Sequence, residues 1–230
     1  YQLFLLILRA RGVFVTRTKF GLTMIFDSED ADGTPIRLLN VNGTFQSVSY
    51  IAPELRFEPC VHYHRMMAKV IQQVAPEGHV VVMGGGGFSL PKHLATHMSD
   101  GVIDAIEIDP KIVSLAREHF FLDEALAAAS SELRIVEDDA WKVLQDAKAG
   151  SIDVLVNEVF AGRKSLGPLG TATGAQVVKE KLVSGGVYLR WKAADLRYFP
   201  RLRTCSHTNL RMSRMCPSGP ILLKPQVTIS

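Results

Sequence analysis

The sequence predicts an α/β fold: a parallel sheet with helices on both faces, preceded by a small antiparallel β unit. Three observations carry this. From residue 79 onward, short apolar runs alternate with segments of helical spacing, the pattern of a parallel sheet covered on both sides. Before residue 53, β-branched runs are separated by Asn/Asp/Gly turns. The chain has 230 residues, 47% apolar and 21% charged, which gives room for one ordinary α/β domain and a small appendage.

In chain order, 3–8 is an apolar run too short to span a bilayer. It reads as a buried strand in preference to the remnant of a signal segment. The chain opens on Tyr1 rather than Met, which reads as a fragment or a processed form. Strands are expected at 13–16, 22–26 and 36–41, with 27–33 (DSEDADG) as an acidic hairpin turn and Asn42 with Gly43 as a second turn. From 53 to 74, Val61, Met66, Met67, Val70 and Ile71 recur at helical spacing. Strands then follow at 79–83, 102–106, 133–136, 152–156 and 187–189. Helices are expected at 90–98, 110–121 (Pro110 in its first turn), 140–147 and 174–182. The chain divides into a β unit (1–52), a nucleoside-binding-type domain (53–189) and a basic C-terminal segment (190–230).

In such sheets ligands sit beyond the carboxyl ends of the strands, where strand order reverses. Four motifs fall at strand ends. VVVMGGGGFS (80–89) runs a strand through glycines into a helix, so the backbone can approach a ligand and the helix N-terminus offers free N–H donors. It lacks the Gly-Lys-Ser/Thr ending of a phosphate-cradling Walker loop. AIEIDP (105–110) places Glu107 and Asp109 after the next strand, where a carboxylate accepts from ribose hydroxyls. IVEDDAW (135–141) puts Asp138 and Asp139 after the third strand, positions suited to the exocyclic amine of adenine or to capping a helix. DVLVNEVFAG (153–162) ends the fourth strand at Glu158, a carboxylate able to orient or deprotonate an attacking amine or to stand as a loop charge. Together they predict a Rossmann-like site for an S-adenosyl ligand rather than a nicotinamide cofactor, with Gly84, Gly86, Glu107, Asp138 and Asp139 on the cofactor.

These residues, in this order, resemble the spermidine synthase (aminopropyltransferase) family over about 38–189. LNVNGTFQS (39–47) is similar to the family's hairpin in which a glutamine touches the nucleoside, here Gln46. VHYHRMMAKV (61–70) is similar to its Tyr-His helix, here Tyr63 and His64, which the resemblance places on the substrate side. EID (107–109) matches the ribose-binding acid, and EDDA (137–140) stands in place of an adenine-binding Gly-Asp-Gly, with Asp138 as the match. The sequence also departs from the family. The family's Gly-Gly-Gly-Asp-Gly-Gly reads here with Gly87 at the aspartate, followed by Phe88 and Ser89. Its Asp-Ser-Ser-Asp-Pro reads Glu158, Val159, Phe160, Ala161 and Gly162. The resemblance makes Glu158 the base. It also implies that two amine-binding carboxylates are lost, each charge-assisted bond being worth roughly 1.5–3 kcal/mol. The family closes its sheet with a C-terminal hairpin. Here only 221–229, interrupted by Pro225, reads as a late strand.

The expected activity is transfer of an aminopropyl or other alkyl group from S-adenosylmethionine, or its decarboxylated form, to a small-molecule acceptor such as an amine. An S-adenosylmethionine-dependent methyltransferase and a non-catalytic nucleoside-binding module are the alternatives. Three cysteines without CxxC spacing give neither a disulfide framework nor a zinc site, so no metal and a cytoplasmic setting are expected. The net charge of +3 is uneven: from Arg190 onward there are six Arg and two Lys against one Asp. Without an RNA-binding aromatic motif this reads as a solvated surface or a poorly ordered end, not a nucleic-acid site. No membrane partner is expected, and a homodimer is implied by the resemblance alone.

Overall fold

Residues 2–159, 167–190 and 226–229 are described by the computed structural model. The strands β1 (Phe14–Thr18), β2 (Gly21–Glu29), β3 (Pro35–Val41) and β4 (Thr44–Tyr50) form an antiparallel sheet in that order. The turn between β3 and β4 has φ of 50° at Asn42 and 82° at Gly43. Positive φ at both central residues matches the strand twist and favours an Asn-Gly pair. The acidic turn is shorter than expected because β2 runs on to Glu29. The Asp30 carboxylate closes it by accepting from the Asp32 and Thr34 N–H groups.

The opening apolar run is a helix, α1 (Gln2–Ala10), not the strand its apolar content predicts. Leu8 is buried while Leu6 and Ile7 are exposed, the one-sided burial of a helix lying on a surface. Residues 51–61 form turns closed by Leu55 N–H to Ala52 O and Glu58 N–H to Leu55 O. Helix α2 (His62–Val74) therefore starts after the prolines at 53 and 59, not at 53.

The second sheet has the order β10-β9-β8-β5-β6-β7. Strands β5 (His79–Met83), β6 (Val102–Ile106), β7 (Glu132–Val136), β8 (Ile152–Asn157) and β9 (Leu182–Arg190) are parallel, and β10 (Gln226–Ile229) pairs antiparallel with β9. Thus β10 falls inside the expected late strand, after Pro225. Apart from Arg190 and β10, the basic segment, with Cys205 and Cys216, lies outside the described residues.

Between the strands run α3 (Ser89–His97), α4 (Pro110–His119), α5 (Leu122–Ala128), α6 (Ala140–Asp146) and α7 (Ala172–Lys181), with a 3-10 turn at Gly167–Gly170. Helix α5 is an addition to the sequence reading. Phe121 takes φ of 61°, so the chain reverses there instead of continuing α4. The alternation along β5 shows both faces covered: Val80 and Val82 pack with α2, α3 and α4, while Val81 and Met83 pack with α6 and α7. The opposite side of α4, through Ile112 and Leu115, meets Ile25, Leu39 and Val41 of the first sheet. Lys92 of α3 is fully buried at this joint, its ammonium donating to Ser49 Oγ and Phe120 O. Burial pushes its pKa down to about 7.

Candidate active site

Strand order reverses at β5, which has β6 on one side and β8 on the other. A cavity of about 700 Å³ opens at the carboxyl ends of these strands, within the size range of small-molecule sites. The first sheet supplies its outer wall through Leu39, Thr44 and Gln46, and Phe20 stands at its mouth.

The glycine turn closes β5. Gly84 has φ of 100°, and its N–H bonds to Ile106 O. A Cβ at Gly84 would stand 2.7 Å from the Glu158 carbonyl oxygen, so β5 and β8 can approach here only with glycine. Gly85 and Gly86 donate their N–H groups to Glu107 Oε2 at 3.0 and 3.1 Å, and the Asp109 N–H donates to Glu107 Oε1 at 3.0 Å. Glu107 is thus a buried carboxylate held by three backbone donors. Of its roughly four lone-pair positions, one on Oε1 remains for a ligand hydroxyl.

Asp109 does not share that role. Its Oδ1 caps α4 through the Lys111 N–H and its Oδ2 accepts the Lys19 N–H at 2.6 Å. The expectation that Glu107 and Asp109 act as a pair on the nucleoside is corrected: Asp109 anchors the β1–β2 hairpin tip over the site. Asp138 turns outward, with Oδ2 2.6 Å from Lys142 Nζ and Oδ1 accepting the Asp139 N–H. Asp139 caps α6 by accepting from Trp141 and Lys142 N–H, and it lines the cavity with Trp141.

Beside the glycine turn, at the end of β8, Glu158 Oε1 lies 2.6 Å from His64 Nε2, both side chains nearly enclosed. The Tyr63 ring tilts against His64 with centroids 4.3 Å apart. Burial first, and the nearby Glu158 charge second, hold the Tyr63 phenol well above its usual pKa, so it stays protonated. The backbone turn that carries Glu158 is fixed by a residue the sequence reading missed. Asn157 is buried, donates to Tyr188 OH at 2.9 Å and accepts the Val159 N–H at 3.1 Å. An Asn closing an apolar strand is a turn signal that could have found it.

Gly87, where the resembled family keeps an aspartate, is enclosed by other parts. A Cβ there would meet Ser47 Oγ at 2.6 Å, Ser47 Cβ at 3.0 Å and Phe120 Cδ1 at 3.1 Å. Ser47 Oγ and Ser89 Oγ are 3.2 Å apart, and Ser89 also donates to Val48 O. Phe88 takes φ of 55° and sends its ring into the core. Residues Phe160, Ala161 and Gly162 of the expected catalytic loop lie outside the described residues. Among the described residues lining the cavity are Glu107, Asp139 and Glu158, with no lysine or arginine.

The profile of the Spermine/spermidine synthase domain family matches residues 60–192, more than half of the chain. The polyamine aminopropyltransferase of Chromobacterium violaceum is 28% identical over 121 residues, covering 52% of this chain and 44% of that protein. That of Thioalkalivibrio sulfidiphilus is 27% identical, covering 49% of this chain and 38% of that protein. The chain therefore spans less than half the length of these curated relatives. Among solved structures, a protein described as a probable spermidine synthase from Corynebacterium glutamicum aligns with a TM-score of 0.62 at 21% identity, over 77% of this chain and 62% of that one. The spermidine synthase of Thermotoga maritima aligns with a TM-score of 0.58 at 18% identity, over 77% of this chain and 56% of that one.

Proposed function

Because the chain belongs to the spermine/spermidine synthase family, we propose that it is an S-adenosyl-dependent transferase that moves an aminopropyl or other alkyl group to a small nucleophilic acceptor. The observation that carries this is the Glu158–His64 pair, 2.6 Å apart and lining the same cavity as the glycine turn. A wall of carboxylates without a lysine or arginine among its described residues suits a sulfonium donor and a cationic acceptor.

The residues divide the work. Gly84, Gly86, Glu107, Gln46 and Asp139, with Asp138 behind, form the donor side. Glu107 keeps one acceptor position for a ribose hydroxyl, and Asp139 and Trp141 stand where the base would lie. Tyr63, His64 and Glu158 form the acceptor side. The acceptor amine gives its lone pair to the carbon beside the sulfonium. The C–N bond forms as the C–S bond breaks, and sulfur leaves as a neutral thioether. The amine proton passes to Glu158, which His64 holds in place.

Gly87 favours a second reading, methyl transfer from S-adenosylmethionine. A carboxylate cannot stand at Gly87 without displacing Ser47, so the donor's amine end lacks that partner. Calorimetry with the two donors decides between them. Tighter binding of decarboxylated S-adenosylmethionine supports aminopropyl transfer, and tighter binding of the carboxylated form supports methyl transfer. Binding of neither at millimolar concentration leaves a non-catalytic module. With decarboxylated donor and putrescine, the absence of spermidine above a Glu158→Ala control would refute polyamine synthesis.

A further inference from the structure

Away from the cavity lining, Glu58, His93 and His97 converge where the 51–61 turns cross α3. His93 and His97 are four residues apart on α3 and so share one face. Their rings stack with centroids 4.1 Å apart and an interplanar angle of 24°. Glu58 reaches both: its Oε1 is 3.0 Å from His97 Nε2 and its Oε2 is 3.6 Å from His93 Nδ1. One donor atom from each residue lies within 4.8 Å of the others.

The hydrogen bonds around the rings orient this set. His97 Nδ1 is 3.0 Å from His93 O, a carbonyl that can only accept, so Nδ1 carries the proton. That leaves the Nε2 lone pair facing the Glu58 carboxylate. A proton on His97 Nε2 would satisfy the Glu58 carboxylate by itself. On His93, Nδ1 lies 3.2 Å from Phe57 O, which only accepts, so by the same reasoning Nδ1 carries the proton and Nε2 keeps the lone pair. A divalent ion competing with that single proton would engage both imidazoles and the carboxylate at once, one donor atom from each. The backbone acceptor behind His97 is the outer support that metal-ligating histidines use.

We propose that Glu58, His93 and His97 form a binding site for a divalent transition metal ion of the zinc type, which clips the turns before α2 to α3. Imidazole and carboxylate donors suit Zn2+ or Co2+, with bonds of about 2.0–2.2 Å and a fourth position left for water. Bringing the donors to that spacing requires side-chain adjustment, and Glu58 and His97 are exposed enough to make it. The cysteine spacing had no bearing on this site, because no thiolate is involved. The clip is independent of the donor chemistry proposed above. It fastens the segment that leads into Tyr63 and His64 to the helix that leaves the glycine turn.

The test uses the untagged chain stripped with a chelator. Zn2+ is titrated by calorimetry, and Co2+ is followed by visible absorption. The expected result is one ion per chain and a rise in Tm. His97→Gln and Glu58→Gln, each confirmed folded by circular dichroism, should each weaken binding more than about tenfold, the scale of losses even for outer-shell partners. No binding by the wild type, affinity unchanged in both variants, or a Co2+ spectrum dominated by thiolate charge transfer would each overturn the proposal.

Discussion

The glycine-turn wall and the His64–Glu158 wall of one cavity hold their carboxylates by opposite means. Glu107 is fixed by three backbone N–H groups from its own strand end and the neighbouring turn. Glu158 is fixed by one side chain, His64, from a helix ninety-four positions earlier in the chain. A carboxylate bound by main chain is part of the fold, and removing it disturbs the sheet. A carboxylate bound by a side chain can be exchanged with little effect on folding, so chemistry can vary there while the donor side stays constant. Two positions follow this pattern: Glu107 is kept, while Glu158 is one methylene longer than the aspartate it replaces.

Four tests, using five substitutions, would break or sharpen this contrast. The largest effect is expected for Glu158→Gln. Loss of a general base typically costs about 10²–10⁴ in turnover. Turnover should fall on that scale while the denaturant midpoint barely moves. A turnover within about threefold of wild type would remove Glu158 from the base role. Next is Gly84→Ala, which places a methyl against the Glu158 carbonyl at a positive φ. It should cost about 3 kcal/mol in urea unfolding. Gly150→Ala, with positive φ but open space around it, should cost about 1 kcal/mol. Equal costs would mean that close approach of β5 and β8 is not what requires Gly84.

Third, Glu107→Gln turns an amide N–H₂ toward backbone donors. It should cost about 1–3 kcal/mol in stability as well as weakening donor binding. A stability unchanged from wild type would undo the distinction between the two walls. The smallest effect, per pH unit, concerns Lys92, on the helix that rises from the glycine turn. Its folded pKa of about 7 lies below its unfolded value, so the charged form penalises the folded state fully below pH 7. Stability therefore rises as pH climbs from 7 toward the unfolded pKa, by up to about 1.4 kcal/mol per unit. Lys92→Met should remove that slope. The difference between the two proteins in chemical denaturation at pH 7.5 and 8.5 measures it. Parallel pH profiles would show that Lys92 is not desolvated as described.

Much of the frame was legible because buried parallel strands are unbroken apolar runs. The 79–83 and 102–106 runs match β5 and β6 to the residue. The departures have local causes. Prolines at 53 and 59 delay α2, Phe121 reverses the chain without the glycine that usually signals it, and α1 has an apolar content that periodicity alone did not separate from a strand. At the site, Gly84, Glu107 and Glu158 could be read because each follows a strand. Ser47 and the Glu58–His93–His97 cluster could not, since their roles depend on partners from distant elements. The pairing of His64 with Glu158 was visible as two separate candidates and became one unit only in the folded chain. Asp109 looked like a ligand-facing acid because a helix cap and a strand-end carboxylate have the same sequence signature.

Gly87 and Ser47 also limit what this chain can be changed into. Ser47 occupies the volume that a side chain at 87 would need. An aspartate restored at 87 alone would collide with Ser47, and trimming Ser47 to glycine alone would give up its contact with Ser89 without gaining a charge. Either single step goes downhill, and only the double change leads back. The pair thus makes a carboxylate at this position reachable by two substitutions together and by neither alone.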